Sequence, residues 1–175
     1  MAFKDVAASL EPTLRPLLGV SERLLAAAPI AQDASADVHV SADVAMLLEG
    51  GSTLHRIVPA QRTPTGSGTI AHRWAERLAS VPSPQLAVTD QRLLIFTTAD
   101  VSERQTGWQR WFAPAELVAR QVHTVPRAGV LGAVQAPGGR QRRGRLVIGF
   151  ADGSGCVLVC SPAGLAESMA RAIED

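Results

Sequence analysis

The stretch LAVTDQRLLIF, Leu86 to Phe96, sets two apolar runs on either side of Thr89, Asp90, Gln91 and Arg92. Apolar runs this short, divided by a polar break, predict two buried strands joined by a turn. Aspartate suits the turn because its carboxylate can accept a hydrogen bond from the backbone just ahead. The pattern recurs where RLVIGF and CVLVC flank Ala151-Asp152-Gly153-Ser154-Gly155, a second hairpin with glycine available for positive φ. Between the two, ELVARQVHTV alternates in part, VLGAVQ is another short run, and WQRWF continues the sheet. A meander of short antiparallel strands is the frame these segments impose.

The flanking segments read differently. FKDVAASLEPTLRPLL carries Phe3, Val6, Leu10, Leu14, Leu17 and Leu18 at helical spacing. Pro12 predicts about two turns, a break or kink, and a short second turn, because an interior proline removes a hydrogen bond and clashes with the preceding turn. An interfacial membrane helix would carry a strongly basic polar face, and Lys4 and Arg15 are all this one offers, so packing on the domain is the expectation. SERLLAAAPIA is a strand or the end of a helix; the run is too short for periodicity to decide. Residues 32–82 are the least regular, with helical pieces at SADVAMLLEG and TIAHRWAERLAS joined by QRTPTGSG, where Thr63 to Gly68 reads as a mobile linker. Near the end, Ser161-Pro162 predicts a helix start, with serine as cap and proline in the first turn. Leu165, Met169 and Ile173 then form one apolar stripe.

The chain has 175 residues, enough for one domain over 1–175, and 46% apolar with 19% charged residues is a globular composition. No apolar run approaches the ~20 residues that cross a bilayer, and MAFKDVAASLEP lacks a basic leader with an apolar block. The expectation is a cytoplasmic protein, with peripheral membrane attachment left open. Cys156 and Cys160 are the two cysteines. On one strand they lie ~13 Å apart at ~3.3 Å per residue, too far for a disulfide. Zinc needs about four converging ligands and none flank them at the usual spacing, so buried core thiols are expected.

VTDQRLLIF, the later GRLVIGFADGSGCVLV and the closing helix resemble the bacterial pleckstrin-homology-like (GRAM-like) domains. In these, a threonine-aspartate-basic turn joins early strands and a final helix caps a barrel. The resemblance covers 22–31 and 85–173. It implies a mainly β fold with α elements: a small antiparallel barrel or bent sandwich capped by a C-terminal helix. SERLLAAAPIA would be the first strand, 1–20 an N-terminal helical segment, 32–82 a helical insertion between the first and second strands, and 85–175 about six further strands and the capping helix. Lipid-binding eukaryotic members hold inositol phosphates with basic residues on the first strands and the loop between them. Here the segment after SERLLAAAPI reads AQDASADVHVSAD and offers acids instead.

Charge is uneven. Leu117 to Ala151 holds no Asp or Glu but includes Arg120, Arg127, Arg140, Arg142, Arg143 and Arg145. The last four fall in GGRQRRGR, on a glycine-flanked turn between two expected strands, and guanidinium groups suit phosphate or carboxylate by bidentate contact. A solvated hairpin tip, with Arg145 leaning over the sheet, is the competing reading. Nucleic acid is disfavoured, because no aromatic lies among these arginines to stack a base.

Catalytic signals are sparse. His39, His55, His72 and His123 are scattered, no G-x-S-x-G or H-E-x-x-H occurs, and the glycines of GSGT lack the lysine of a P-loop. A pair assembled from distance, such as His123 with Asp90, is the enzyme candidate. Trp74, Trp108 and Trp111 divide between core packing and a partner surface. The sequence points to a non-catalytic interaction module that binds a protein partner, an anionic ligand or a membrane surface through Arg140, Arg142, Arg143 and Arg145, with no cofactor and no metal. A small enzyme with a site under the inserted segment is the alternative. Self-association is left open.

Overall fold

The computed structural model describes residues 4–32, 68–100, 117–135 and 144–175. Among them the chain forms helix α1 (Lys4–Leu14), a 3-10 turn (Arg15–Leu17), strand β1 (Leu24–Gln32), helix α2 (Ile70–Ala79), and strands β2 (Gln85–Thr89), β3 (Arg92–Asp100) and β4 (Leu117–Pro126). A second 3-10 turn (Arg127–Gly129) leads to β5 (Val130–Gln135), β6 (Arg145–Phe150), β7 (Gly155–Cys160) and helix α3 (Leu165–Glu174). The seven strands make one antiparallel sheet in the order β4-β3-β2-β1-β7-β6-β5. The mainly β fold with helical caps is therefore present, and SERLLAAAPIA is the first strand.

β1 joins the two halves of the sheet. Residues Leu24 to Pro29 pair with β2, whereas Ile30 to Gln32 pair with β7. The handover falls at Pro29, which has no amide hydrogen to give to a ladder. Its carbonyl accepts from Ser161 N at 3.0 Å, and Ile30 N turns to Pro84 O at 3.0 Å.

Strand alternation then decides what each face covers. Ala26, Ala28 and Ile30 of β1, Leu86 and Val88 of β2 and Leu93 and Ile95 of β3 share one core with Leu146, Ile148 and Phe150 of β6 and Leu158 and Cys160 of β7. The sheet therefore folds over on itself. The opposite face of the first half carries Ala27, Ala87, Leu94 and Phe96, which pack under Leu10, Leu14 and Leu17 from the N-terminal segment. Ala71, Trp74 and Leu78 of α2, and Leu165, Met169 and Ile173 of α3, enter the inner core. Both apolar stripes are as their spacing predicts.

Two expected boundaries differ. α1 runs through Pro12 to Leu14, and the tightening comes only at Arg15–Leu17, around Pro16. Pro12 lies in the last turn, where it removes a single intrahelical bond, and the packing of Leu10 and Leu14 against the sheet offsets that loss. At the other end, Ser161 and Pro162 do not open α3; the helix starts at Leu165 after Gly164. Ser161 is held by Pro29 O as a continuation of the ladder, so the chain first turns through residues 161–164, with Leu165 N on Pro162 O at 3.0 Å. The Ser161-Pro162 peptide is cis.

Candidate functional site

Of the arginines expected to form a binding edge, Arg140, Arg142 and Arg143 lie outside the described residues. Arg145 opens β6, half-buried and opposite Val159 of β7. The ends of the connection that carries the others are fixed: Gln135 pairs with Leu146, and Gly144 O accepts from Cys160 N at 2.7 Å. Gly144 has φ +84°, and a Cβ there would stand 2.8 Å from Cys160 O. Only glycine fits this approach. SADVAMLLEG, WQRWF, His39, His55 and the linker up to residue 67 also lie outside the described residues.

The polar turn of the first hairpin is more than a loop closure. Thr89 Oγ1 accepts from Gln91 N at 3.2 Å and Arg92 N at 3.0 Å, and donates to Glu22 Oε1 at 2.7 Å. Arg92 Nε meets Glu22 Oε1 at 2.8 Å while Arg92 Nη2 meets Glu22 Oε2 at 2.9 Å and Leu17 O at 2.8 Å. Glu22 Oε2 also accepts from Gly19 N at 2.8 Å. The Arg92 hydrogen bonds, with help from Gly19 and Thr89 and against the opposing pull of burial, hold the Glu22 pKa down at about 2. Asp90 does not bond the backbone ahead, as its position suggested; Thr89 does that. Asp90 Oδ1 accepts instead from Arg23 N at 3.0 Å. The knot thus pins the start of β1, and with it the N-terminal segment, to the β2–β3 turn.

The second hairpin has a parallel role. Asp152 Oδ2 accepts from Ile70 N at 2.6 Å, and Ser154 Oγ accepts from Ala71 N at 3.1 Å. Asp152 Oδ1 accepts from Ser154 N at 3.0 Å, and Thr69 Oγ1 takes His72 N at 3.2 Å. Three side chains from two distant segments therefore cap α2. Burial pushes the Asp152 carboxyl up, but the Ser154 hydroxyl and the Ile70 and Ser154 amides outweigh it and leave the pKa lowered.

His123 and Asp90 do not come together. His123 stands opposite Ile95, inside β3, whereas Asp90 lies in the β2–β3 turn before that strand begins, where Pro126 and not His123 is opposite the first residue, Arg92. The His123 ring meets Trp74 edge-on, with centroids 6.3 Å apart. Burial, then the charges of Arg77 and Arg73, lower its pKa, so the imidazole is neutral at pH 7. Trp74 itself is fully buried and leans on Phe150 with centroids 5.5 Å apart. Both cysteines are free thiols, and burial pushes each up to about 12. Neither is a nucleophile near neutrality. Among the described residues no group of three or more His, Cys, Asp or Glu side chains converges on one point, and no helix is long and apolar enough to cross a membrane.

Sequence reasoning did not single out a cleft of about 460 Å³ bounded by α1, the β2–β3 turn and α3. Ala7, Arg23, Asp90, Arg127 and Ser168 are among its lining residues. These lie far apart in sequence, and no motif links them. No protein-family model matches the chain, and neither a curated protein nor a solved structure matches it.

Proposed function

We propose that the chain is a non-catalytic interaction module of pleckstrin-homology-like architecture that binds a protein partner or an anionic surface through the arginine-rich connection between β5 and β6. The observation that carries this reading is the position of that connection. It leaves β5, at the end of the strand order, and returns into β6, with both ends pinned by the ladder and by Gly144. Arg140, Arg142 and Arg143 fall in that link, within a stretch free of acids from Leu117 to Ala151, so their charges act together. The strand order and the capping of the core by α3 support the architectural part. The engagement of Glu22, Arg92, Asp152 and Ser154 in holding segments together supports a scaffold rather than a catalyst.

In lipid-binding members of that superfold the ligand lies by the first two strands. Here the connection between β1 and β2 sends Trp74 of α2 into the core, which favours a different face for binding. The test compares wild type with an Arg142→Ala, Arg143→Ala double variant on phosphatidylserine-containing vesicles and in pull-downs from a bacterial lysate, at low and moderate salt. The double variant is expected to bind more weakly, with wild-type binding falling as salt rises and both melting alike. Equal binding by both proteins under every condition overturns the arginine edge.

A further inference from the structure

Independently of the β5–β6 connection, we propose that the outer edge of β4, beside α2, takes up an extended acidic segment of a partner protein as an added strand. The two ends of the sheet differ. β5 is short, and its Ala133 amide donates to Glu174 Oε1 of α3 at 3.1 Å, so a side chain already occupies that edge. β4 runs for 10 residues, Leu117–Pro126, and among the described residues it pairs with β3 alone. A strand paired on one side presents alternate amides and carbonyls outward, a template for a further strand. Leu117 and Val118, 45% and 47% exposed, lie at its start.

Charge decides the occupant. Ala119 packs on the cluster under α1, so Val118 and Arg120 on either side of it point to the opposite face, where α2 lies. His123 is on that face too, against Trp74, and the charges of Arg77 and Arg73 reach its ring. Arg73, Arg77 and Arg120 are all exposed. Arg73 Nη1 donates to Gly68 O, while neither Arg77 nor Arg120 has a carboxylate partner. The one acid of α2, Glu76, is paired with His72 at 3.4 Å. β4 itself carries no Asp or Glu. A second copy laid along β4 would add another Arg120 to this uncompensated charge, whereas a segment with carboxylates on the α2 side neutralises it. Leu117 and Ala119 give the other side an apolar surface, so the fitting strand alternates acidic with β-branched residues.

A capped peptide alternating Glu and Val, titrated into the whole chain with amide chemical-shift mapping, tests this. It is expected to bind with the largest shifts along β4 and at His123, and to weaken as salt rises. A peptide with Lys in place of Glu should bind at least tenfold more weakly. Of two further peptides, one N-methylated on its Glu amides and one on its Val amides, at least one should lose the same factor, because it keeps the charge but not the donors that face β4. An Arg77→Glu, Arg120→Glu double variant should lose at least tenfold in affinity while melting like wild type, since both side chains are exposed. The Arg142→Ala, Arg143→Ala variant should bind the peptide as wild type does. Absence of binding at millimolar peptide, full binding by both N-methylated peptides, undiminished binding by the charge-reversed variant, or shifts centred away from β4 overturns the proposal. So does self-association of the ligand-free chain along β4, which would give the edge to a second copy. Loss of peptide binding in the Arg142, Arg143 variant would move the site to the β5–β6 connection and overturn it as well, so failure here is distinct from failure of the arginine edge.

Discussion

Arg92 holds Glu22 in a two-point grip, Nε on Oε1 at 2.8 Å and Nη2 on Oε2 at 2.9 Å, between residues 70 positions apart in sequence. Glu22 is almost fully buried, so this pair is screened little by solvent. Its folded pKa of about 2 lies below the ordinary 4.5, so the native state favours the ionised carboxylate. That contribution, on the order of 3 kcal/mol, is complete above about pH 4.5 and is lost as pH falls toward and through 2. Glu22→Gln should cost roughly 3 kcal/mol at pH 7, because it leaves the Arg92 charge without its counter-ion. Urea unfolding at pH 7, 4 and 2.5 measures both effects. An acid limb equally steep in wild type and variant would remove Glu22 as the cause.

Asp152 and Ser154 cap a helix 82 or so residues away along the chain, at Ile70 and Ala71. Asp152→Ala is expected to lower stability by about 1–2 kcal/mol, the scale of a lost N-cap. Ser154→Ala should fall short of additivity with it, because Ser154 Oγ also donates to Asp152 Oδ1 at 2.5 Å, a bond that either substitution removes. Thermal melts of the two single variants and the double variant make the cycle. Strictly additive losses would mean that the two side chains act separately.

Met169 sits in the middle of the α3 stripe with no exposed surface. Met169→Asp should therefore cost several kcal/mol, whereas Met169→Leu should cost less than about 1.5 kcal/mol. Differential scanning calorimetry of both variants is the check. An unchanged melting temperature for the aspartate variant would take α3 off the core.

What could be read before the structure was whatever is local. The hairpins at Asp90 and Asp152, the strand at CVLVC and the stripe of Leu165, Met169 and Ile173 depend on neighbours within a few residues, and the structure contains all of them. Helix boundaries were less legible, since Pro12 and Ser161 carry local signals that tertiary contacts override. The Glu22–Arg92 grip was invisible because each residue alone is an ordinary surface type and only folding brings them together. Arg127 was counted within a basic stretch, but its place on the cleft depends on where α1 and α3 dock.

The first half of the sheet is packed on both sides, by α1 over Ala27, Ala87, Leu94 and Phe96 and by the inner core opposite. β2 and β3 also have a strand on either flank, so their amides are released to deuterium only when the whole domain opens. The loop at Val20, fully exposed at its tip, exchanges without any such event. Isotope uptake should thus be graded from the surface of the N-terminal segment inward, and those two strands would report the global free energy of unfolding directly.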